Sequence, residues 1–247
     1  MIPLGPAQWT AAVAAAFCIG VSKAGLPGIS MVNVLLMVMV LPARESTGIV
    51  LPLLIFADLF AVGTYRSHAR WRYILPPLGP AFAGIVLGAW LMPRIPAHSF
   101  APVIGWIVLT MAVIQFVRRL RPNLFERLPH TPAFAGMMGA LSGIATMLAN
   151  AAGPIMSIYL LARRVPKYEM VGSAAIFFLI VNLVKVPFST GLGLINPGTL
   201  MLNLCLLPAV VTGLFAGRAT LRFVPQRLFE EAVLGFAAVA AAWMILK

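Results

Sequence analysis

Lys23, Asp58 and Lys185 stand inside long apolar stretches of this chain. An ionisable group at membrane depth is costly unless it is paired, protonated or beside a polar cavity, so each of the three marks chemistry by default. Lys23 belongs to a break in its stretch, Gly20-Val21-Ser22-Lys23-Ala24-Gly25-Leu26-Pro27-Gly28, and a second break runs Thr146-Met147-Leu148-Ala149-Asn150-Ala151-Ala152-Gly153-Pro154. Broken backbone leaves amides without partners, which hydrocarbon tolerates only where they are buried in protein or line a wet cavity. Pro27 and Pro154 suit the first position of a helix, whose free N–H groups and positive dipole end then face the break. Two such ends make an anion site. The expected anion contacts are the amides around Gly25, Gly28 and Gly153, formal charge from Lys23, and hydrogen bonds from Ser22, Thr146 and Asn150. The arms leading into the breaks bring negative helix ends to the same place, so Lys23 alone decides the sign.

Asp58 is the one acid well inside an apolar stretch, and Asn182 occupies the matching place in the second half of the chain. Asp58 either carries a proton or pairs with Lys23 or Lys185 as a structural bridge. Lys185 lies nearer the end of its stretch, where snorkelling to the surface is open to it, as it is to Lys23 if the first segment crosses fully. Asp58, Asn182 and Lys185 form the candidate coupling or gating set. No catalytic residue is expected: His68, His98 and His130 fall in connections, and no H-E-x-x-H signature is present. Met31, Met37, Met39, Met137, Met138, Met147 and Met156 read as gap-filling core rather than metal ligands, since no Cys or His accompanies them. Cys18 and Cys205 read as small hydrophobes. No metal and no cofactor is expected.

The elements that position these residues are set by composition. Of the 247 residues 61% are hydrophobic and 10% charged, with a mean hydropathy of +0.98; a soluble globule carries roughly 25% charged residues. The chain reads as an all-α integral membrane protein. Apolar stretches at 47–65, 73–92, 101–117, 171–190, 198–217 and 228–246 each suit a helix of the ~20 residues that span hydrocarbon. The start, Met1 to Pro6, lacks the basic region of a cleavable signal peptide.

The chain also repeats itself. At an offset of 124 (169 − 45), Glu45, Gly48, Asp58 and Leu59 meet Glu169, Gly172, Asn182 and Leu183. At 129 (213 − 84), Gly84, Gly88, Pro96 and Phe100 meet Gly213, Gly217, Pro225 and Phe229; at 125 (153 − 28), Gly28, Met31, Leu35 and Leu36 meet Gly153, Met156, Leu160 and Leu161. Residues 1–123 and 124–247 are therefore read as two repeats, a duplication typical of secondary transporters.

A net charge of +12 raises the question of a nucleic-acid partner, but the cations sit in short connections, as membrane orientation requires. No nucleic acid is expected; the lipid bilayer is the partner. Arg66, Arg70 and Arg72, then Arg118, Arg119, Arg121 and Arg127, then Arg163, Arg164 and Lys167, then Arg218, Arg222 and Arg227 define four loops on the cytoplasmic side. The loops near Arg44 and Arg94 and the uncharged 191–196 face outward. Equivalent loops of the two halves thus lie on opposite sides, the mark of inverted-topology repeats.

That orientation forces 5–41 and 132–162 to return to the side they start from. Their return arms, 28–41 and 154–162, fall short of the ~17 residues of a comfortable crossing. Two re-entrant hairpins are expected, with tips meeting near the midplane, added to six full spans, eight to ten helices in all. Both termini then face the periplasm. Oligomeric state, monomer or homodimer, is not legible.

With two homologous halves, each opening on a Gly-rich broken segment (Gly20 to Gly28 and Gly139 to Gly153) followed by an acid-x-x-Gly turn into the next helix, the chain resembles the TauE/SafE sulfite-exporter family of bacterial permeases. The closer match is Gly139-Ala140-Leu141-Ser142-Gly143 followed by Gly153-Pro154; the first break departs from the family's glycine cluster in carrying Lys23, Leu26 and Pro27. The resemblance implies a bacterial inner-membrane transporter for a small anion such as sulfite or an organosulfonate. Cation-coupled uptake, or a channel for another small solute, is the alternative.

Overall fold

The computed structural model describes residues 4–24, 29–121, 131–220, 235, 237–239 and 241–246. Gly25, Pro27 and Gly28 of the first break lie outside the described residues. So do the loop cations Arg127, Arg222 and Arg227, His130, Pro225, Phe229 and the first part of the expected helix 228–246.

Among the described residues the chain is helical, without strands. The helices are α1 (Pro6–Lys23), α2 (Ser30–Val40), α3 (Ala43–Tyr65), α4 (Trp71–Leu91), α5 (Ala97–Leu120), α6 (Pro132–Ala149), α7 (Gly153–Ala162), α8 (Lys167–Gly191), α9 (Pro197–Thr220) and α10 (Ala237–Leu246). Prolines mark their starts, at the first turn of α1, α6 and α7 and just before α3, α5 and α8. There the ring's fixed φ and missing N–H cost nothing.

Six helices are long and apolar enough to cross a membrane. Five are expected spans that extend past their apolar stretches into charged or polar ends: Ala43–Tyr65 begins four residues before 47, because a helix already formed absorbs a short polar turn at the interface. The sixth is Pro132–Ala149, which the sequence reading treats as one arm of a hairpin. Its 18 residues extend about 27 Å at 1.5 Å each, against ~30 Å of hydrocarbon. On α4, Trp71 and Trp90 are both exposed and lie about 29 Å apart along the axis. That spacing matches aromatic anchors at two membrane interfaces.

The element order runs twice, an 18-residue helix, a short one of 11 or 10 residues, then long ones. The closest helix pairs are α4 with α6 and α1 with α9, and both depend on glycine. A Cβ on Gly84 would strike Ala140 and Gly143; one on Gly213 would strike Phe17 and Gly20, the residues at the same offset of 123 (140 − 17). Gly143 meets Ala81, Gly84 and Ile85 as Gly20 meets Val210, Gly213 and Leu214. Lipid tails are as apolar as leucine, so close backbone approach across small residues is what holds such pairs.

Loops group at two ends. At one, Arg44 Nη2 donates to the Ile95 carbonyl at 2.5 Å, Gly48 abuts Leu194, and Gln8 Nε2 donates to the Val40 carbonyl at 3.4 Å. At the other, Arg70 pairs with Glu169 at 3.1 Å, the Arg70 N–H donates to Ser173 Oγ at 3.0 Å, and Gly172 abuts Tyr65, His68 and Ala69.

Candidate functional site

The first break is reached through α1, which ends at Lys23. Lys23 Nζ lies 2.5 Å from Asp58 Oδ1 and 4.6 Å from the centre of the Phe178 ring. Asn182 Nδ2 donates to Asp58 Oδ2 at 2.7 Å. Both carboxylate oxygens are thus engaged, and one cluster ties α1, α3 and α8 together. Asp58 is fully buried while the Lys23 side chain keeps 15% exposure. Asp58 is Lys23's ion-pair partner in the structure. Lys23, expected to hold its charge free for a ligand, spends part of it on that acid.

The second break is built from the end of α6. Asn150 adopts the left-handed conformation, φ 52° and ψ 30°, and the Ala151 N–H reaches back to the Ala145 carbonyl at 3.3 Å. With the Asn150 N–H donating to the Thr146 carbonyl at 3.0 Å, this is the αL closure of a helix, asparagine standing where glycine is usual. Lys185 meets it. Its Nζ donates to the Thr146 carbonyl at 2.8 Å, to Thr146 Oγ1 at 3.2 Å and to Asn150 Oδ1 at 2.5 Å. Asn150 Nδ2 donates in turn to the Thr47 carbonyl at 3.0 Å, which orients its oxygen toward the lysine. Three acceptors around one nitrogen fit an ammonium, which has three donors and no acceptor. Lys185 is 1% exposed, so the snorkelling alternative is excluded: its stem turns inward to the end of α6, where a cation also offsets the negative helix end.

The tip of the first break, residues 25–28, lies outside the described residues, and the flanks of the two breaks are held at different turns of α3. The first is anchored on α3 at Asp58, with the Tyr65 hydroxyl donating to the Ala24 carbonyl at 3.4 Å; the second is anchored at Thr47. The anchors Thr47 and Asp58 are eleven residues apart (58 − 47), about 16 Å along a helix. A Cβ on Gly153, opening α7, would lie 3.4 Å from Ser30 Oγ, opening α2.

Between the arms lies a cavity of about 180 Å³, larger than the ~30 Å³ share of one water and smaller than drug-sized pockets. Ser22, Lys23, Asp58, Thr146, Asn150, Gly153 and Asn182 all line it; Lys185 stands behind Thr146 and Asn150. Sequence reasoning missed Ser30, Asn33, Ser157 and Phe178, which also line it. Ser30 and Asn33 carried a signal, as polar residues three apart in an otherwise apolar return arm. From Asp58 and Asn182 the lining continues to Ala61 on α3 and to Met170 on α8, toward the end that holds Arg70 and Glu169. No group of three or more His, Cys, Asp or Glu side chains suited to a metal ion occurs among the described residues.

An all-helical, multi-pass membrane protein with a small cavity, apolar in most of its lining but carrying a cluster of polar side chains, between broken helices is the frame of a solute carrier. The family model described as "Sulfite exporter TauE/SafE" matches residues 12–244, and the chain belongs to that family, which comprises membrane transporters and not enzymes. No curated protein and no solved structure matches it.

Proposed function

We propose that the chain is a secondary transporter that moves a small sulfur-containing or organic anion, such as sulfite or an organosulfonate, across the bacterial inner membrane by alternating access. The observation that carries this reading is the charge count around the cavity. Two amines, half-buried Lys23 and buried Lys185, stand against one carboxylate, Asp58. Lys23 and Asp58 balance each other, while Lys185 faces only neutral acceptors. Negative ends of α1 and α6 amount to about half a charge each, and positive ends of α2 and α7 offset them. With Lys185 protonated, one positive charge remains in a low-dielectric interior, where an unpaired charge is costly. A substrate anion supplies the missing partner, with Ser22, Thr146, Asn150 and the amides near Gly28 and Gly153 around it. Asp58 gives less support to cation coupling, since both its oxygens already have partners.

Residues 1–123 and 124–247 act in this reading as inverted repeats, each with a re-entrant hairpin. The recurring glycine contacts and the grouping of loops at two ends support it, as does the Gln8–Val40 hydrogen bond that joins the base of the first hairpin. The arginine-rich end is cytoplasmic and both termini periplasmic, by the positive-inside rule. Single cysteines replacing Gly5, His98 or Asn196 then react with an impermeant reagent from outside; reaction of a cysteine at Arg70 from that side refutes the orientation. Outward passage of one negative charge gains ~2.3 kcal/mol per 100 mV of inside-negative potential, so export needs no coupling ion.

The direct test is a thermal-shift screen of the purified protein. Sulfite or an alkanesulfonate at about 100 times its Kd stabilises the fold by ~2.7 kcal/mol and raises Tm, while ammonium, alkylamines and divalent metals leave it unchanged. A shift with the cations alone sinks the anion reading.

A further inference from the structure

The cavity changes character along α8. Its lining there begins at Asn182, hydrogen-bonded to Asp58, and runs through Phe178 and Ala174 to Val171. Asn182 and Val171 are eleven residues apart (182 − 171), about 16 Å along a helix. From Phe178 onward every α8 residue of the lining is apolar. Phe178, Ala174 and Val171 each keep part of their surface accessible, so what enters the cavity can touch them.

The neighbouring helices extend the same apolar wall. On α3 Ala61 lies between Asp58, which meets Asn182, and Tyr65, whose carbonyl abuts Gly172, so it stands opposite this part of α8. On α7 the Leu160 carbonyl accepts from the Val165 N–H at 3.2 Å, which puts Leu160 beside the loop that opens α8. Ser157 is the polar residue of that side, and its hydroxyl already donates to the Gly153 carbonyl at 2.9 Å. The charged side chains of the lining, Lys23 and Asp58, stay at the other end. Pockets of this make-up orient a ligand by a few polar groups and hold it by apolar contact.

We infer that Ala61, Leu160, Val171, Ala174 and Phe178 form an arm for a hydrocarbon tail, so that the preferred solute is a monovalent alkyl anion rather than sulfite or a short dianion. This rests on the anion reading above and narrows its substrate class. The cavity of about 180 Å³ exceeds the ~150 Å³ void that takes up a benzene. An anion as small as sulfite leaves the arm without contacts, which a tail supplies. A second charge on a short tail would lie among apolar side chains, where an unpaired charge is costly. Arg70 and Arg72 stand past the arm and are paired with Glu169.

Titration calorimetry of the purified full chain with methanesulfonate, butanesulfonate, 3-sulfopropanoate and sulfite tests the inference. Each buried methylene tightens binding about fourfold, so butanesulfonate binds at least about twentyfold more tightly than methanesulfonate. The dianion 3-sulfopropanoate, similar in length to butanesulfonate, binds no better than methanesulfonate. In Ala174→Phe the ring fills the arm and the ratio between butanesulfonate and methanesulfonate falls to within about threefold; Val171→Phe gives the same reading should the first variant not fold. Equal binding of those two sulfonates by the parent, or binding of sulfite alone, overturns the inference and leaves the anion reading standing. A ratio undiminished in the folded variants, the mark of tails that partition elsewhere, also overturns it, as does 3-sulfopropanoate bound as tightly as butanesulfonate. Binding of none of the four anions overturns both.

Discussion

The two breaks solve one problem with opposite polarity. At the first, the cation sits on the broken segment and the neighbouring helix supplies an acid, Lys23 to Asp58. At the second, the broken segment offers only oxygens, from Thr146 and Asn150, and the neighbouring helix supplies the cation, Lys185. Two similar helix breaks thus carry different electrostatic fillings. The first is nearly neutral and acts as a clamp between α1, α3 and α8. The second is satisfied in hydrogen bonds and, with Lys185 protonated, unsatisfied in charge, which is the condition the proposed anion would relieve.

The clamp predicts the largest effect on stability. Asp58→Leu strands Lys23 beside the buried face of α3, and breaking a buried pair from one side costs about 3 to 5 kcal/mol. Unfolding in denaturing detergent measures it. The double variant Lys23→Met, Asp58→Leu recovers most of the loss, because an apolar pair of similar volume replaces a buried ion pair at little cost. A double variant no more stable than Asp58→Leu would mean that Asp58 does something other than balance Lys23.

A smaller effect tests whether the frame itself is equivalent in the two halves. Gly84→Val and Gly213→Val each drive a side chain into the backbone of the partner helix, Ala140 in one case and Phe17 in the other. Overpacking of this kind costs about 1 to 3 kcal/mol. The two variants lose stability by amounts within about 0.5 kcal/mol of each other. A large loss in one and none in the other would break the comparison.

Much of this was legible in the sequence, for identifiable reasons. Apolar length announced the long helices, and the repeat at an offset of 124 placed Asp58 opposite Asn182, which are in fact hydrogen-bonded. Small residues and prolines announced both breaks, and Ser22, Lys23, Thr146, Asn150 and Gly153 do share one cavity. Lys185 was harder to read: distance from a helix end cannot tell a stem that turns outward from one that turns to the end of α6. Asn33 was overlooked since one amide in an apolar helix draws notice only when the cavity it lines is seen.

The central claim is that Lys185 leaves one positive charge for the substrate to balance, and Asn150→Asp tests it most directly. Aspartate tolerates the left-handed backbone and puts a carboxylate where Asn150 Oδ1 now lies 2.5 Å from Lys185 Nζ. The new ion pair offsets the lost hydrogen bond to Thr47, worth about 1 kcal/mol, so the fold stays near parental stability while the surplus charge disappears. For an anion about 8 Å away at an effective dielectric of ~20, that charge is worth about 2 kcal/mol, or roughly thirtyfold in affinity. Calorimetric titration of folded Asn150→Asp with an alkanesulfonate is predicted to show that loss beside an unfolding midpoint close to the parent's. Undiminished affinity in the folded variant would contradict the account.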